Sequence, residues 1–172
     1  RRLKAFRDNG RVDSIDIIEC FGWCSRLDNL HAALLNMKFN YFEEWIRRRR
    51  EIAKLYDEGL KGADDVVAHP CSSDDYFDVY QNYVIRTKRR DGLVKYLRNS
   101  GIEVLISWPV PMHKHKALKL GHFRLPKTEA ISNEVISLPI YPELTDKEVY
   151  IVIDTIKNFF KAHAPWIFRL VY

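Results

Sequence analysis

The stretch VYQNYVIRT, residues 79–87, decides the fold because its aromatic and β-branched side chains predict a β-strand. Asp91 follows this stretch as the predicted cap of a helix that ends at Gly101. Residues 102–106, IEVLI, predict the next strand, and the prolines of WPVP at 108–111 end it. A strand, a helix and a second strand in this order predict a two-layer α/β domain.

Further elements flank this centre on both sides. They are a short strand at 65–69, helices at 113–120 and 128–135, and an extended segment at 136–140. Thr145 and Glu148 form a capping box, the pattern in which a threonine and a glutamate three residues later cap each other at a helix start. The helix that they open has an apolar face made of Val149, Val152, Ile153, Ile156, Phe159 and Phe160.

A helical pattern covers residues 26–61, ahead of this domain. Ser25 and Asp28 form a capping-box pattern at its start. The pattern predicts one helix, or two helices with a bend near Asn40, and a single helix would be about 50 Å long. Because that length exceeds the width of the domain, we expect a second domain or a partner subunit against it. The apolar residues at helical spacing are Leu30, Leu34, Met37, Tyr41, Trp45, Ile52 and Tyr56.

The fold class predicted is therefore α/β, with a long N-terminal helix followed by a small two-layer α/β domain. We divide the chain into a connection at 1–25, the long helix at 26–61 and the small domain at 62–172. Within the connection, residues 3–9 predict the tail of a helix, and Gly10 is its left-handed cap. Because residue 1 is Arg rather than Met, we expect the chain to start inside a longer reading frame or after a cleavage.

Composition narrows the class of protein. With 47% apolar residues among 172, neither a disordered nor a fibrous protein fits, and no apolar run reaches the length of a membrane span. Three cysteines do not make a disulfide framework, which predicts a reducing, cytoplasmic location. The net charge of +5 includes the run at 47–50, RRRR. Its i,i+4 neighbours Glu43, Glu44 and Glu51 favour a solvated helix face over nucleic-acid binding.

No motif taken alone assigns a reaction. Cys20 and Cys24 have the spacing C-x3-C, but zinc needs a second pair, so we predict no metal site. His113, His115 and His122 lack a carboxylate that is positioned to help them bind a metal. The chain has no glycine-rich phosphate loop and no G-x-S-x-G nucleophile motif.

Five stretches in register resemble the C-terminal half of the DegT/DnrJ/StrS sugar aminotransferases. They are GWCSRLDNLHAA at 22–33, RRRREIAKLY at 47–56, YQNYVIR at 80–86, GI at 101–102 leading to WPVPMH at 108–113, and LPIYPELTDKEV at 138–149. The resemblance implies a fold-type I enzyme that uses pyridoxal 5'-phosphate (PLP). It also implies that residues 1–25 are a remnant of the large PLP-binding domain.

Family members usually move an amino group from glutamate or glutamine to a keto group on a nucleotide-linked sugar. Their Schiff-base Lys lies in the large N-terminal domain, so the resemblance implies no catalytic residue in this chain and no activity in isolation. It also implies a homodimer, because the family's active sites form between subunits. Three alternatives stay open: a non-catalytic remnant or partner subunit, a related PLP-dependent sugar dehydratase, and a nucleic-acid-binding module.

The resemblance also assigns candidate site residues. Cys24 stands where the family has an Asn that reaches the PLP phosphate of the neighbouring subunit, and Ser25 and Arg26 match cofactor-binding positions. A helix cap and a surface ion pair are the structural alternatives for these two. His113 matches a His that lines the family's active site, and Trp108 stands where Tyr is commoner, so both are expected to bind substrate. His31 replaces the usual Gln.

Overall fold

The computed structural model describes residues 2–11, 18–63, 65–68 and 76–162. The chain divides into two compact units, Arg1–Glu43 and Glu44–Tyr172. Each unit has its own internal contacts. None of the described helices combines the length and the apolar character that crossing a bilayer requires.

The first unit contains helices α1 (Arg2–Arg7) and α2 (Asn29–Phe39). Gly10 has a left-handed φ of 84°, as its predicted role as a cap requires, and its N–H donates to the Ala5 carbonyl at 2.7 Å. A side chain there would clash, because a Cβ would lie 1.7 Å from the Cys20 carbonyl oxygen. Part of the predicted connection at 1–25 lies outside the described residues, at 12–17.

The long helical pattern forms two helices, which confirms the second of the two predicted alternatives. Helix α2 ends at Phe39, Asn40 and Tyr41 form a turn, and α3 runs over Phe42–Gly59. The predicted start was wrong. Asp28, and not Ser25, caps α2, since its carboxylate accepts the backbone N–H of His31 at 2.9 Å.

The sheet of the second unit has two named strands, β1 (Tyr83–Arg86) and β2 (Val135–Leu138), paired antiparallel. Their register joins Tyr83 to Leu138 and Arg86 to Val135. Val67 bridges to Arg86 on one side, and Leu105 bridges to Ser137 on the other. The segments before β1 and before the WPVP turn therefore lie at the two edges of the sheet.

The predicted strands were too long. In the stretch 79–87, Tyr80 has a positive φ of 49°, which an extended strand does not allow, so β1 begins only at Tyr83. Residues 102–106 contribute a single bridge, between Leu105 and Ser137. The strand predicted at 65–69 is likewise one bridge, and its last residue lies outside the described part.

Helices α4 (Arg90–Asn99), α5 (Pro126–Glu134) and α6 (Asp146–Ala162) complete the unit. Asp91 lies in the first turn of α4 and is not its cap, which is Arg89. The helix predicted at 113–120 is instead two short 3-10 turns, Met112–Lys114 and Lys116–Leu118, because the backbone of His115 between them is extended.

The core joins one face each of α3, α4 and α6 to the sheet, so the predicted two-layer α/β arrangement is confirmed. The predicted apolar face of α6 is also confirmed, since all six of its residues are buried. Two tyrosines in this core have partners for their hydroxyls: Tyr83 donates to Asp57 at 2.6 Å and Tyr56 to the Pro139 carbonyl at 2.9 Å. Burial raises the pKa of both phenols.

Three of the four arginines at 47–50 donate hydrogen bonds to backbone carbonyls in distant segments. Arg47 makes its predicted pair with Glu51 at 3.0 Å. Arg49, however, donates to the carbonyls of Tyr80, Gln81 and Ile140 at 3.0, 3.3 and 3.0 Å. The neighbouring arginines act similarly, Arg48 on the Leu144 carbonyl and Arg50 on the Asp78 carbonyl. The prediction of a purely solvated face was therefore wrong.

The capping box at the start of α6 predicts a pH effect. Hydrogen bonds from the backbone N–H and the hydroxyl of Thr145, at 2.9 and 2.7 Å, hold the pKa of Glu148 below its usual value of 4.5. A lowered folded-state pKa stabilises the protein above the unfolded-state pKa, and this contribution is lost as pH falls through the folded-state pKa. We expect Glu148→Gln to lower the Tm at pH 7, with the difference from wild type shrinking as the pH falls from 7 through the lowered pKa of Glu148.

The measurement is thermal unfolding of both proteins across this pH range. Glu143→Gln is the control, because Glu143 is exposed near the same helix end but lies outside the capping box. A Tm difference for Glu148→Gln that stayed constant down to the lowest pH would contradict the linkage.

Candidate functional site

A cleft of about 550 Å³ in the second unit holds both residues that the sequence assigned to substrate binding. Trp108 and His113 line it, together with apolar side chains that include Leu120 and Phe123. Trp108 is 65% exposed, whereas His113 is only 4% exposed. The cleft therefore combines an open aromatic surface with one buried imidazole.

His113 is held by a carboxylate. Its Nε2 lies 3.1 Å from Oε1 of Glu129, in the first half of α5. The same oxygen accepts from Nζ of Lys114 at 3.2 Å and from the backbone N–H of Leu125 at 3.4 Å. The hydrogen bond from His113, followed by that from Lys114, lowers the pKa of Glu129, so the carboxylate is ionised at neutral pH.

Trp108 is held by the same helix. Oγ of Ser132 donates to the Trp108 carbonyl at 3.1 Å, and Ser132 lies three residues after Glu129 in α5. One helix thus fixes the backbone at Trp108 and the side chain at His113. The sequence analysis did not identify Glu129 or Ser132. The available signal was Pro126, whose fixed φ favours the first turn of a helix and so places Glu129 near that helix start.

The chain from residue 104 to residue 128, which includes the loop beside the cleft and the start of α5, is strongly basic. Residues 104–128 contain no Asp or Glu, and the chain there carries five Lys and Arg residues. All five are exposed. Lys114 pairs with Glu129, while the other four have no ion-pair partner within the part of the chain that the structure describes. These four are Lys116, Lys119, Arg124 and Lys127.

The residues predicted to bind the cofactor lie in the first unit, in the segment that leads into α2. The Cys24 backbone forms a bridge with Asp8, and the Ser25 N–H donates to the Arg7 carbonyl at 2.9 Å. Nε of Arg26 pairs with Oδ1 of Asp8 at 3.4 Å. Because the backbone of this segment is hydrogen-bonded to residues near α1, a ligand would contact the exposed side chains of Cys24, Ser25 and Arg26.

His31 and Cys20 add no further ligand to the cleft or to the segment from Cys24 to Arg26. His31 is exposed and its Nδ1 contacts the Asp28 carboxylate, one turn into α2. Cys20 and Cys24 are free thiols. Among the described residues, no three His, Cys, Asp or Glu side chains come together as metal ligands would. A second hollow, of about 660 Å³, is lined by residues such as Gln81, Leu105 and Tyr141 and holds none of the predicted site residues.

Comparison with known proteins matches residues 1–157 to the DegT/DnrJ/EryC1/StrS aminotransferase family. A pleiotropic regulatory protein of Geobacillus stearothermophilus is 34% identical over 147 residues, which are 83% of this chain and 40% of that protein. A dTDP-3-amino-3,6-dideoxy-alpha-D-galactopyranose transaminase of Aneurinibacillus thermoaerophilus is 38% identical over 136 residues, 78% of this chain and 37% of that protein.

Solved structures give the same result. The S. venezuelae protein DesV, crystallised with a ketimine intermediate, superimposes with a TM-score of 0.84 at 33% identity. The match covers 92% of this chain and 43% of that chain. The chain therefore spans about 40% of the length of the curated relatives that it matches.

Proposed function

We infer, because this chain belongs to the DegT/DnrJ/EryC1/StrS aminotransferase family, that it serves as the C-terminal part of a sugar aminotransferase. The resemblance stated from its sequence motifs is thereby confirmed. The proposed reaction transfers an amino group from glutamate or glutamine to a keto group on a nucleotide-linked sugar. The single observation that carries the proposal is the family match over residues 1–157, which spans both candidate site segments.

The proposed cofactor is PLP, which when bound acts as an electron sink at the carbon that carries the amino group. The residues of the first unit fit its phosphate in their chemistry. The Ser25 hydroxyl and the Arg26 guanidinium are exposed, and an oxyanion accepts from both kinds of donor. Arg26 pairs with Asp8 through Nε at 3.4 Å, and its side chain stays 63% exposed. The thiol of Cys24 is a weak donor by comparison.

The proposed substrate side is the cleft between Trp108 and His113. An exposed indole offers an apolar face for stacking, and the imidazole offers one directed polar contact. The unpaired cations of the loop, such as Arg124 and Lys119, favour a ligand that carries phosphates. Relatives of this chain are named as transaminases for dTDP-linked and UDP-linked sugars, which supports a nucleotide sugar as the substrate.

We also propose that the active protein is a homodimer in the cytoplasm. None of the eleven described residues of α2 is buried within this chain, although the helix carries leucines and a methionine. Leu30 and Met37, for example, are 69% and 65% exposed. A partner subunit or a larger domain would remove this apolar surface from water.

The activity test compares two proteins: this chain, and the product of the whole reading frame that contains it. Each is mixed with PLP, glutamate and a dTDP- or UDP-linked keto sugar, and the amino sugar is detected by mass spectrometry. We expect amino transfer only from a protein that also supplies a Schiff-base Lys. If neither protein forms an amino sugar with glutamate or glutamine, the proposed function is wrong.

The role of the loop is tested in the active protein by Arg124→Gln. Losing one charge-assisted contact to phosphate is expected to raise KM by about tenfold, with kcat little changed. Lys147→Gln is the matched control, because Lys147 is an exposed cation on α6, outside the loop. Equal KM values for the two variants would show that Arg124 does not contribute to substrate binding.

Restoring the family's residue at position 24 gives a separate prediction. An Asn amide donates to phosphate more strongly than a thiol, so Cys24→Asn is expected to tighten PLP binding by about fivefold in the active protein. PLP absorbance during dialysis measures the change. The control is Cys20→Asn, because Cys20 is a second free thiol in the same unit. Weaker binding in Cys24→Asn would show that Cys24 does not face the phosphate.

A second candidate is a non-catalytic member of the same family. One observation favours it: Cys24 departs from the residue that the resemblance places at the cofactor phosphate. The relative named as a pleiotropic regulatory protein is consistent with such a role. The activity test separates the two, since a non-catalytic protein would form no amino sugar even when it binds PLP.

A further inference from the structure

The His113–Glu129 pair lies at the wall of the cleft, and its geometry constrains what the imidazole offers to a ligand. Nε2 of His113 is 3.1 Å from Oε1 of Glu129, and the imidazole side chain is 5% exposed. Within the described part of the chain, Nδ1 has no hydrogen-bond partner. The ring therefore uses one nitrogen for the protein and leaves the other unused.

The carboxylate beside Nε2 accepts and does not donate. Oε1 of Glu129 lies near three donors, which include Nζ of Lys114 at 3.2 Å and the backbone N–H of Leu125 at 3.4 Å. These donors and the imidazole keep the pKa of Glu129 below its ordinary value. Its place near the N-terminus of α5 also favours the ionised form.

The Glu129 carboxylate beside Nε2 favours one tautomer of the His113 imidazole. A neutral imidazole has one N–H and one lone pair, and the nitrogen that faces a carboxylate carries the hydrogen. With the hydrogen on Nε2, the lone pair is on Nδ1. A hydroxyl of a sugar ligand could then donate to Nδ1, whereas the other tautomer would present only a donor.

We propose that Glu129 is a positioning residue: it accepts the Nε2–H of His113 and thereby presents the Nδ1 lone pair as a hydrogen-bond acceptor to a ligand in the cleft. The proposal rests on the proposed function only for the nature of that ligand, a hydroxyl-bearing sugar. Ser132, one turn further along α5, fixes the backbone at Trp108 on the other side of the same cleft.

The test is nitrogen NMR of the chain with 15N-labelled histidine, recorded at about pH 9, where an ordinary imidazole is neutral. The His113 signals are assigned by their loss in His113→Gln. We expect wild-type His113 to show a protonated Nε2 and an unprotonated Nδ1. In Glu129→Ala we expect a mixture of tautomers, whereas Glu129→Gln, which keeps an acceptor oxygen, should restore the wild-type form.

Glu143→Ala is the matched control, because this exposed glutamate lies away from the cleft and should leave His113 unchanged. Circular dichroism shows whether each variant folds. If Glu129→Ala does not fold, the wild-type spectrum decides alone. A hydrogen on Nδ1 in wild type, or a ring still doubly protonated, would overturn the proposal, as would a Glu129→Ala spectrum identical to wild type.

The readout needs no turnover, so it is independent of the activity test. If the expected tautomer is observed but no amino transfer occurs, the role of Glu129 is supported and the proposed function is wrong. Amino transfer by a protein with the opposite tautomer would do the reverse.

Discussion

Arg49→Ala is expected to lower the free energy of unfolding of the second unit by about 3 kcal/mol, because the change leaves three carbonyls without their charged donor. The guanidinium joins α3 to the segment before β1 and to the loop after β2, through Tyr80, Gln81 and Ile140. In sequence, the first and last of these partners are 31 and 91 residues away. The contact therefore holds together parts of the chain that no local interaction joins.

The matched control is Arg47→Ala, in the same run and on the same helix. Arg47 is exposed and pairs with Glu51 one turn away, a contact worth about 0.5 kcal/mol or less. Arg49→Lys should fall between the two, because an ammonium does not reproduce the fork of a guanidinium. Urea unfolding followed by circular dichroism measures all three. Similar losses for Arg47→Ala and Arg49→Ala would show that position 49 has no special structural role.

Ile156→Ala is expected to lower the free energy of unfolding by about 3 to 4 kcal/mol, through lost burial and the cavity left behind. Ile156 is completely buried in the face of α6 that packs on α4. Its control is Ile151→Ala on the same helix, where the side chain is 49% exposed. That change should lower the free energy by less than about 1 kcal/mol. Thermal unfolding of the two variants provides the comparison, and equal losses would contradict the assigned face.

The helices were predictable to the extent that their determinants are local. The face of α6 follows from apolar spacing within one turn of the chain, and all six residues are where the spacing placed them. Strand ends were less predictable, because a strand ends where its hydrogen bonds to the neighbouring strand end. Leu105 pairs with Ser137, which lies 32 residues further along the chain.

The same distinction separates the predicted site residues from those that were missed. Trp108 and His113 lie in a motif that resembles a known family. Glu129 and Ser132 are recognised only by their contacts with them, 16 and 24 residues away in sequence. The arginine run illustrates the opposite error. Its local i,i+4 neighbours suggested a solvated face, while its main acceptors lie in distant segments.

Helix α5 contacts the chain on both sides of the loop beside the cleft. Glu129 contacts His113 before the stretch from Lys116 to Arg124 and the Leu125 N–H after it, so this stretch is held at both ends and largely exposed between them. Substitutions in that stretch should alter the charge and shape offered to a ligand while leaving the fold intact. Ligand preference could thus change through substitutions in one short segment, without repacking of the domain.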